Sequence, residues 1–189
     1  MNSSSFIDVQ WIKSNGITYQ DFYNRITQFA KDNTTSGNDV SEEKIELTKL
    51  NYHRMKRLND SSLEIEPINL ALPIAAFIIT EAWCGDSAQN IPWIEQFIAT
   101  IQPKIETHYF FRDENPDLMN LFLTNGSRSI PICIFYNSDN GEVLGKWGPR
   151  PQEIAGWLKE YRFNHPAISK HERSEEHTSE LQSRQYLVC

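Results

Sequence analysis

Six consecutive apolar residues, Ile74-Ala75-Ala76-Phe77-Ile78-Ile79, run almost directly into Trp83-Cys84-Gly85-Asp86-Ser87, and this junction limits the fold more than any other stretch of the chain. A short, unbroken, β-branched run is the pattern of a strand covered on both faces, so it requires a sheet with packing on each side. The residues after it read as a helix with Ile91, Ile94, Phe97, Ile98 and Ile101 on its apolar side and Pro92 inside it as a kink. Cys84 therefore stands where a strand hands over to a helix. There its sulfur would face unpaired backbone N–H groups and the positive end of the helix dipole. The expectation is a partly exposed thiol whose pKa lies below the free value of about 8.5.

Downstream, a strand is expected over Thr107 to Phe111 and a helix over Pro116 to Leu123. After Arg128-Ser129-Ile130-Pro131 the chain predicts a hairpin: strand Ile132 to Tyr136, a turn at Asp139-Asn140-Gly141, and strand Glu142 to Trp147. Pro151 to Arg162 reads as a closing helix. At these intervals residues 70 to 163 resemble the thioredoxin superfamily, with Ile130-Pro131 matching its cis-proline beside the active-site sulfur. The motif around Cys84, taken with Trp147-Gly148-Pro149-Arg150-Pro151, is similar to a bacterial group known only as thioredoxin family proteins. The resemblance implies an α/β, thioredoxin-like fold with a central mixed sheet flanked by helices.

It also implies chemistry with one part missing. Ser87 occupies the position of the second thiol that lets a dithiol enzyme close a disulfide and release its substrate, and a serine cannot do this. Ile78 replaces the buried acid that handles protons for that second thiol. What remains is monothiol exchange: Cys84 forms a mixed disulfide with a protein or peptide thiol, or with glutathione, and an external thiol releases it. Cys84 and Ser87 are the expected catalytic residues, and Trp83, Gly85, Asp86, Ile130 and Pro131 the expected substrate-binding ones. Asp86 either opposes the thiolate by like charge or caps the helix, and Ser87 either donates to the thiolate or is an ordinary first-turn serine. Trp83 and Pro131 would flank the sulfur as an apolar platform where an extended peptide pairs with the backbone at Ile130. On the same surface a redox-silent peptide-binding module is the competing reading, so whether the protein is an enzyme stays open. Arg128 and Arg150 flank the same face and are either carboxylate holders or ordinary surface arginines. Cys133, in an Ile-Cys-Ile-Phe run, reads as core filling. The residues between Cys84 and Ser87 do not resemble the pattern of single-cysteine proteins that share an iron–sulfur cluster, and no cofactor or metal is expected.

Residues 1–66 carry no chemical motif. Thr18 is expected to cap a helix bearing Tyr19, Phe22, Tyr23, Ile26, Phe29 and Ala30, and Asn33 to Asp39 to break it. A second helix from Ser41 would bury Ile45, Leu50, Met55 and Leu58. Both form a helical extension packed on a domain spanning residues 67–172. Met1 to Asn15 reads as a polar stretch broken by Phe6, Ile7, Trp11 and Ile12. No apolar leader follows the start and no segment approaches the roughly 20 apolar residues that span a bilayer, so the cytoplasm is the expected location and no membrane partner is expected.

Arg173 to Ser183, RSEEHTSELQS, matches the in-frame translation of a common sequencing adaptor, and Arg184 to Cys189 continues it, so residues 173–189 are expected to be non-native. Ser169 to Glu172, just before it, has the spacing of a helix-opening capping box. The net charge is −7 for the whole chain and about −6 without that tail. Nucleic acid is an unsuitable partner for an acidic chain whose basic residues gather only at His53-Arg54-Met55-Lys56-Arg57, a stretch that either contacts an anion or, as the favoured reading, is a solvated helix face balancing Glu42, Glu43 and Glu46. With Cys189 set aside, two cysteines make neither a disulfide framework nor a zinc site.

Overall fold

The computed structural model describes residues 6–62, 64–102, 105–152 and 156. The backbone divides into two compact units, Met1–Arg150 and Pro151–Cys189. In the first, helices α1 (Val9–Asn15), α2 (Tyr19–Lys31) and α3 (Glu42–Asn59) lead into strands β1 (Ile68–Asn69) and β2 (Ile74–Thr80). Then come α4 (Gly85–Ala99), β3 (Ile101–Gln102), β4 (Thr107–Phe111), α5 (Pro116–Leu121), β5 (Ile132–Asn137) and β6 (Val143–Trp147).

The expected strand β2 forms the middle of a four-stranded mixed sheet of order β4-β2-β5-β6. It runs parallel to β4 and antiparallel to β5, which pairs antiparallel with β6. Alternation along β2 then feeds two cores. Ala76 and Ile78 meet Tyr109, Phe111 and Cys133 on the face that α2, α3 and α4 cover. Ala75, Phe77 and Ile79 meet Phe110, Ile132, Ile134 and Tyr136 on the face that α1 and α5 cover. A separate two-stranded parallel sheet pairs β1 with β3.

The N-terminal residues cover both faces. Ile7 donates its N–H to Gly141 O at 2.9 Å, and Ile17 exchanges backbone hydrogen bonds with Tyr109 on β4 at 3.1 and 2.8 Å. Between these ties lies α1, where the sequence pattern predicts only a polar stretch. Asp8 caps it by accepting from Trp11 N at 2.9 Å. Ile12 is fully buried, and the Trp11 ring stacks on Phe110 at 5.5 Å. Seven residues offer too few apolar positions to register as a period, and the sheet supplies the partner surface that the pattern lacks. Gly141, at φ +78, serves both the hairpin turn and this tie, because a Cβ there would lie 2.3 Å from Ile7 O.

Helix α2 matches expectation: Thr18 caps it through Asp21 N, and Phe22 and Ile26 are buried. Helix α3 starts at the expected N-cap, Ser41, and buries the expected Met55, but brings polar Thr48 and Asn51 inward and leaves Leu50 45% exposed. The inner face is polar at Thr48 and Asn51 because it meets backbone and hydroxyl groups: Thr48 shares a 2.6 Å hydrogen bond with Thr35, and Asn51 Nδ2 donates to Ala82 O at 3.0 Å. The expected polar break at 33–39 is therefore partly internal, with Thr35 and Ser36 buried. Met55 and the partly buried Arg54 likewise show that residues 53–57 are not simply a solvated face.

Pro92 lies inside α4 as expected, but the helix stops short of Ile101, which belongs to β3, and leaves Phe97 39% exposed. Helix α5 ends at Leu121, two residues early. The helix expected over 151–162 falls almost wholly outside the described residues, as do Ser169 to Glu172 and the tail from Arg173. No helix among the described residues is long and apolar enough to cross a membrane.

Phe22 tests whether the N-terminal helices are integral to the core. It stacks on Tyr109 at 4.9 Å and meets Phe111 at 5.5 Å. Phe22→Ala should cost about 3–5 kcal/mol in urea denaturation. A loss below about 1 kcal/mol would mean that α2 is peripheral.

Candidate functional site

Cys84 is the N-cap residue of α4, with extended backbone geometry between the end of β2 and the first helical turn. Its carbonyl accepts from Ala88 N at 3.1 Å and its amide donates to Glu81 O at 3.2 Å. The thiol points inward, is 8% exposed, and donates to Ile130 O at 3.5 Å. The expected partly exposed, acidified thiol is therefore not what the chain builds. Burial, and after it the charge of Asp86, pushes the Cys84 pKa up to about 11 against the pull of the Ser87 hydroxyl and the Ser87 and Asp86 amides.

Asp86 is not a side-chain cap of α4. Its carboxylate is held in a fork by Arg150, Nε to Oδ1 at 2.8 Å and Nη2 to Oδ2 at 2.5 Å. Arg150 thus holds a carboxylate of its own chain. It is delivered by the turn Trp147-Gly148-Pro149, which lies on Pro131: Gly148 has φ +115, and a Cβ there would sit 2.1 Å from Pro131 O. Both Ile130–Pro131 and Gly148–Pro149 are cis. Arg128 turns aside and donates Nε to Asn120 Oδ1 at 3.1 Å.

The Trp83 ring is not an open platform. Lys44 Nζ lies 4.4 Å and the Arg112 guanidinium 5.0 Å from its centre. Gly85 faces Arg54 of α3, whose Nη1 would be 3.4 Å from a Cβ at that glycine. Ser87 Oγ is buried with no hydrogen-bond partner among the described residues, which leaves its hydroxyl free for the sulfur beside it. Ile130 is buried, and its carbonyl is already engaged by the Cys84 thiol. The structure thus gathers all seven expected site residues, but in closed form.

Cys133 is fully buried and belongs to the core on the other face of the sheet from Cys84, so it cannot resolve a disulfide there. Burial pushes its thiol up to about 12. Ile78 is likewise core. The buried acid at this strand end is instead Glu81, which is not among the expected site residues. Ser36 Oγ donates to Glu81 Oε2, Asp113 N donates to Oε1 at 2.8 Å, and Ala82 N donates to Ser36 Oγ at 2.9 Å. Burial raises the Glu81 pKa despite these donors. Arg54 is not among the expected site residues either; its one signal is membership of the basic stretch 53–57. No group of three metal-ligating side chains occurs among the described residues.

Two outcomes follow from these environments. With Cys189→Ser to remove the tail thiol and Cys84→Ser to subtract Cys133, the Cys84 alkylation rate should climb about tenfold per pH unit between pH 7 and 10. A plateau by pH 8 would show that the helix terminus outweighs burial. Asp86→Asn should move the profile to lower pH, since its charge opposes the thiolate. Glu81 carries the second. A carboxyl whose folded pKa is raised binds more protons folded than unfolded, so its stabilisation is fully present below the unfolded pKa and is lost as pH rises through the folded one. Wild type should therefore gain stability relative to Glu81→Gln as pH falls from 7 to 5, measured by urea melts; an unchanged or widening deficit would contradict the raised pKa.

Comparison with known proteins gives the geometry its family. A family model described as thioredoxin matches residues 37–162. Among solved structures, the chain is similar to the crystal structure of an HIV epitope scaffold, at 14% identity and TM-score 0.47, covering 83% of this chain and 87% of that one. It is also similar to a protein of unknown function from Pseudomonas aeruginosa, at 16% identity and TM-score 0.46, covering 79% and 83%. No curated protein matches the sequence. The family match spans more than half of the chain and takes in the sheet, α4 and the Cys84 and Pro131 segments, and the chain belongs to the thioredoxin family.

Proposed function

We propose that Cys84 carries out monothiol exchange. The Cys84 proton leaves to solvent, the thiolate attacks one sulfur of a disulfide, and a Cys84–substrate disulfide forms as the original S–S bond breaks. The departing thiolate takes up a proton. An external thiol then attacks the substrate sulfur, freeing Cys84 and leaving with the substrate as a new disulfide. One observation carries this reading: Cys84 is the N-cap residue of the fifteen-residue α4, with the buried Ser87 hydroxyl on the first turn of the same helix. Ser87 is the donor in this scheme. Trp83, Gly85, Asp86, Ile130 and Pro131 form the substrate-facing wall in this scheme.

A redox-silent peptide-binding module on Trp83, Ile130 and Pro131 remains the second reading, favoured by the high pKa of the thiol. Against it stand the two cations on Trp83 and the Ile130 carbonyl already taken. A reducing, cytoplasmic setting suits the two free thiols among the described residues, Cys84 and Cys133. We also propose that residues 173–189 are adaptor-encoded; the same codons found in an independent clone of the locus would refute this.

Incubating the full chain carrying Cys189→Ser with glutathione disulfide at pH 8.5 tests the exchange. Intact mass should show one glutathionyl group, absent in Cys84→Ser and removed by added glutathione. No adduct at Cys84 would end the exchange reading; the binding reading then requires that Trp83→Ala abolish function in cells while Cys84→Ser does not.

A further inference from the structure

Four cations ring the motif of this acidic chain, and three have carboxylate partners. Lys44 Nζ is 3.1 Å from Asp39 Oδ2, Arg112 Nε is 2.8 Å from Asp113 Oδ1, and Arg150 holds Asp86. Arg54 is the exception. It projects from α3, is partly buried against Gly85, and its Nη1 donates to Asn51 Oδ1 at 3.3 Å. Among the described residues no carboxylate lies within ion-pair distance of it, and burial together with nearby Arg57 lowers its pKa. Withdrawing a guanidinium from water beside the positive end of a helix is unfavourable unless an anion arrives to offset it. The Ser87 hydroxyl on the same first turn of α4 is 2% exposed and serves the Cys84 sulfur, so it offers Arg54 no partner.

We infer that Arg54 anchors a carboxylate of the disulfide substrate, so that the site takes small carboxylate-bearing disulfides, of which glutathione disulfide is the test case. The inference rests on the proposed exchange at Cys84. The guanidinium offers a planar fork that suits a carboxylate, and the missing side chain at Gly85 lets it approach the first turn of α4. Ser87 lies on the sulfur side of the same turn, leaving Arg54 to hold the substrate's charge while the disulfide meets Cys84. Asp86 does not compete for Arg54 because Arg150 occupies it in a bidentate pair. This assignment moves the anion-holding role from Arg128 and Arg150 to a residue of the N-terminal helices.

S-methylglutathione keeps the carboxylates but has no thiol to exchange, so its binding separates the anchor from the chemistry. Calorimetry on the full chain should show binding that Cys84→Ser retains, that Arg54→Gln weakens at least about fivefold, and that Arg54→Lys weakens less. Arg57→Gln, an equal charge loss on an exposed position of the same helix, should leave it intact. Absence of binding, or equal weakening by Arg57→Gln, would overturn the inference whatever becomes of the exchange reaction. A kinetic arm uses alkylation of Cys84 by iodoacetate and iodoacetamide, whose rate ratio is independent of the thiolate fraction. Arg54→Gln should lower that ratio several-fold, and the effect should shrink in high salt. An unchanged ratio would also overturn it. Thermal melts matching wild type show that each variant is folded.

Discussion

The carboxyl group of Glu81 is the joint on which this molecule is assembled. It sits at the end of the central strand, and its two oxygens take hydrogen bonds from Ser36, in the loop between α2 and α3, and from the backbone of Asp113, just past β4. A carboxyl drawn from water costs several kcal/mol unless donors meet it, and here one oxygen is met from each side. Ser36 then returns a contact to Ala82 N, and Asn51 of α3 takes Ala82 O. The backbone immediately before Trp83 and Cys84 is thus held on both sides by the N-terminal helices. The position of the candidate thiol follows from that joint.

At the thiol two effects compete, and magnitudes decide between them. A helix terminus is worth about 0.3–2 kcal/mol to an anion placed at its N-terminal end. Full burial can shift an ionisable group by up to about 3–5 pKa units, each about 1.4 kcal/mol. With Cys84 8% exposed and the Asp86 charge added, burial prevails and the thiol stays protonated. The enclosure comes from the chain itself. Ile130 takes the thiol's hydrogen bond, and the 147–150 turn brings Arg150 across to Asp86. Thiol reactivity and site closure are in this way one property.

Much of the fold was legible in the residues. The β2 run, the β4 strand, the Thr18 cap, Pro92 in α4 and the Asp139-Asn140-Gly141 turn each carry a local signal strong enough to survive tertiary context. Less legible was any element whose stability is lent by another. Helix α1 is too short to show a period and exists because Ile12 and Trp11 find the sheet. Helix α3 buries Thr48 and Asn51 in place of Leu50 because hydrogen-bonding groups, Thr35 Oγ1 and Ala82 O, await those two positions, while Met55 meets the apolar core. The site divides the same way. Cys84, Ser87, Asp86 and Pro131 were recognisable by interval, whereas Glu81 and Arg54 matter through partners that are distant in the chain, 45 residues away in the case of Ser36 and Glu81.

The sequence by itself determined which strand is central, where it meets a helix, and that a single thiol with serine three positions on stands at that junction. These rest on local pattern: continuous β-branched residues, a proline, a cap and a short motif. Only the tertiary structure decided how that thiol behaves. Its burial, the pairing of Asp86 with Arg150, the cations on Trp83 and the unmatched charge of Arg54 arise where segments distant in the chain converge. Desolvation and Coulomb interactions depend on distances through space, and the order of residues does not encode those until the chain has folded.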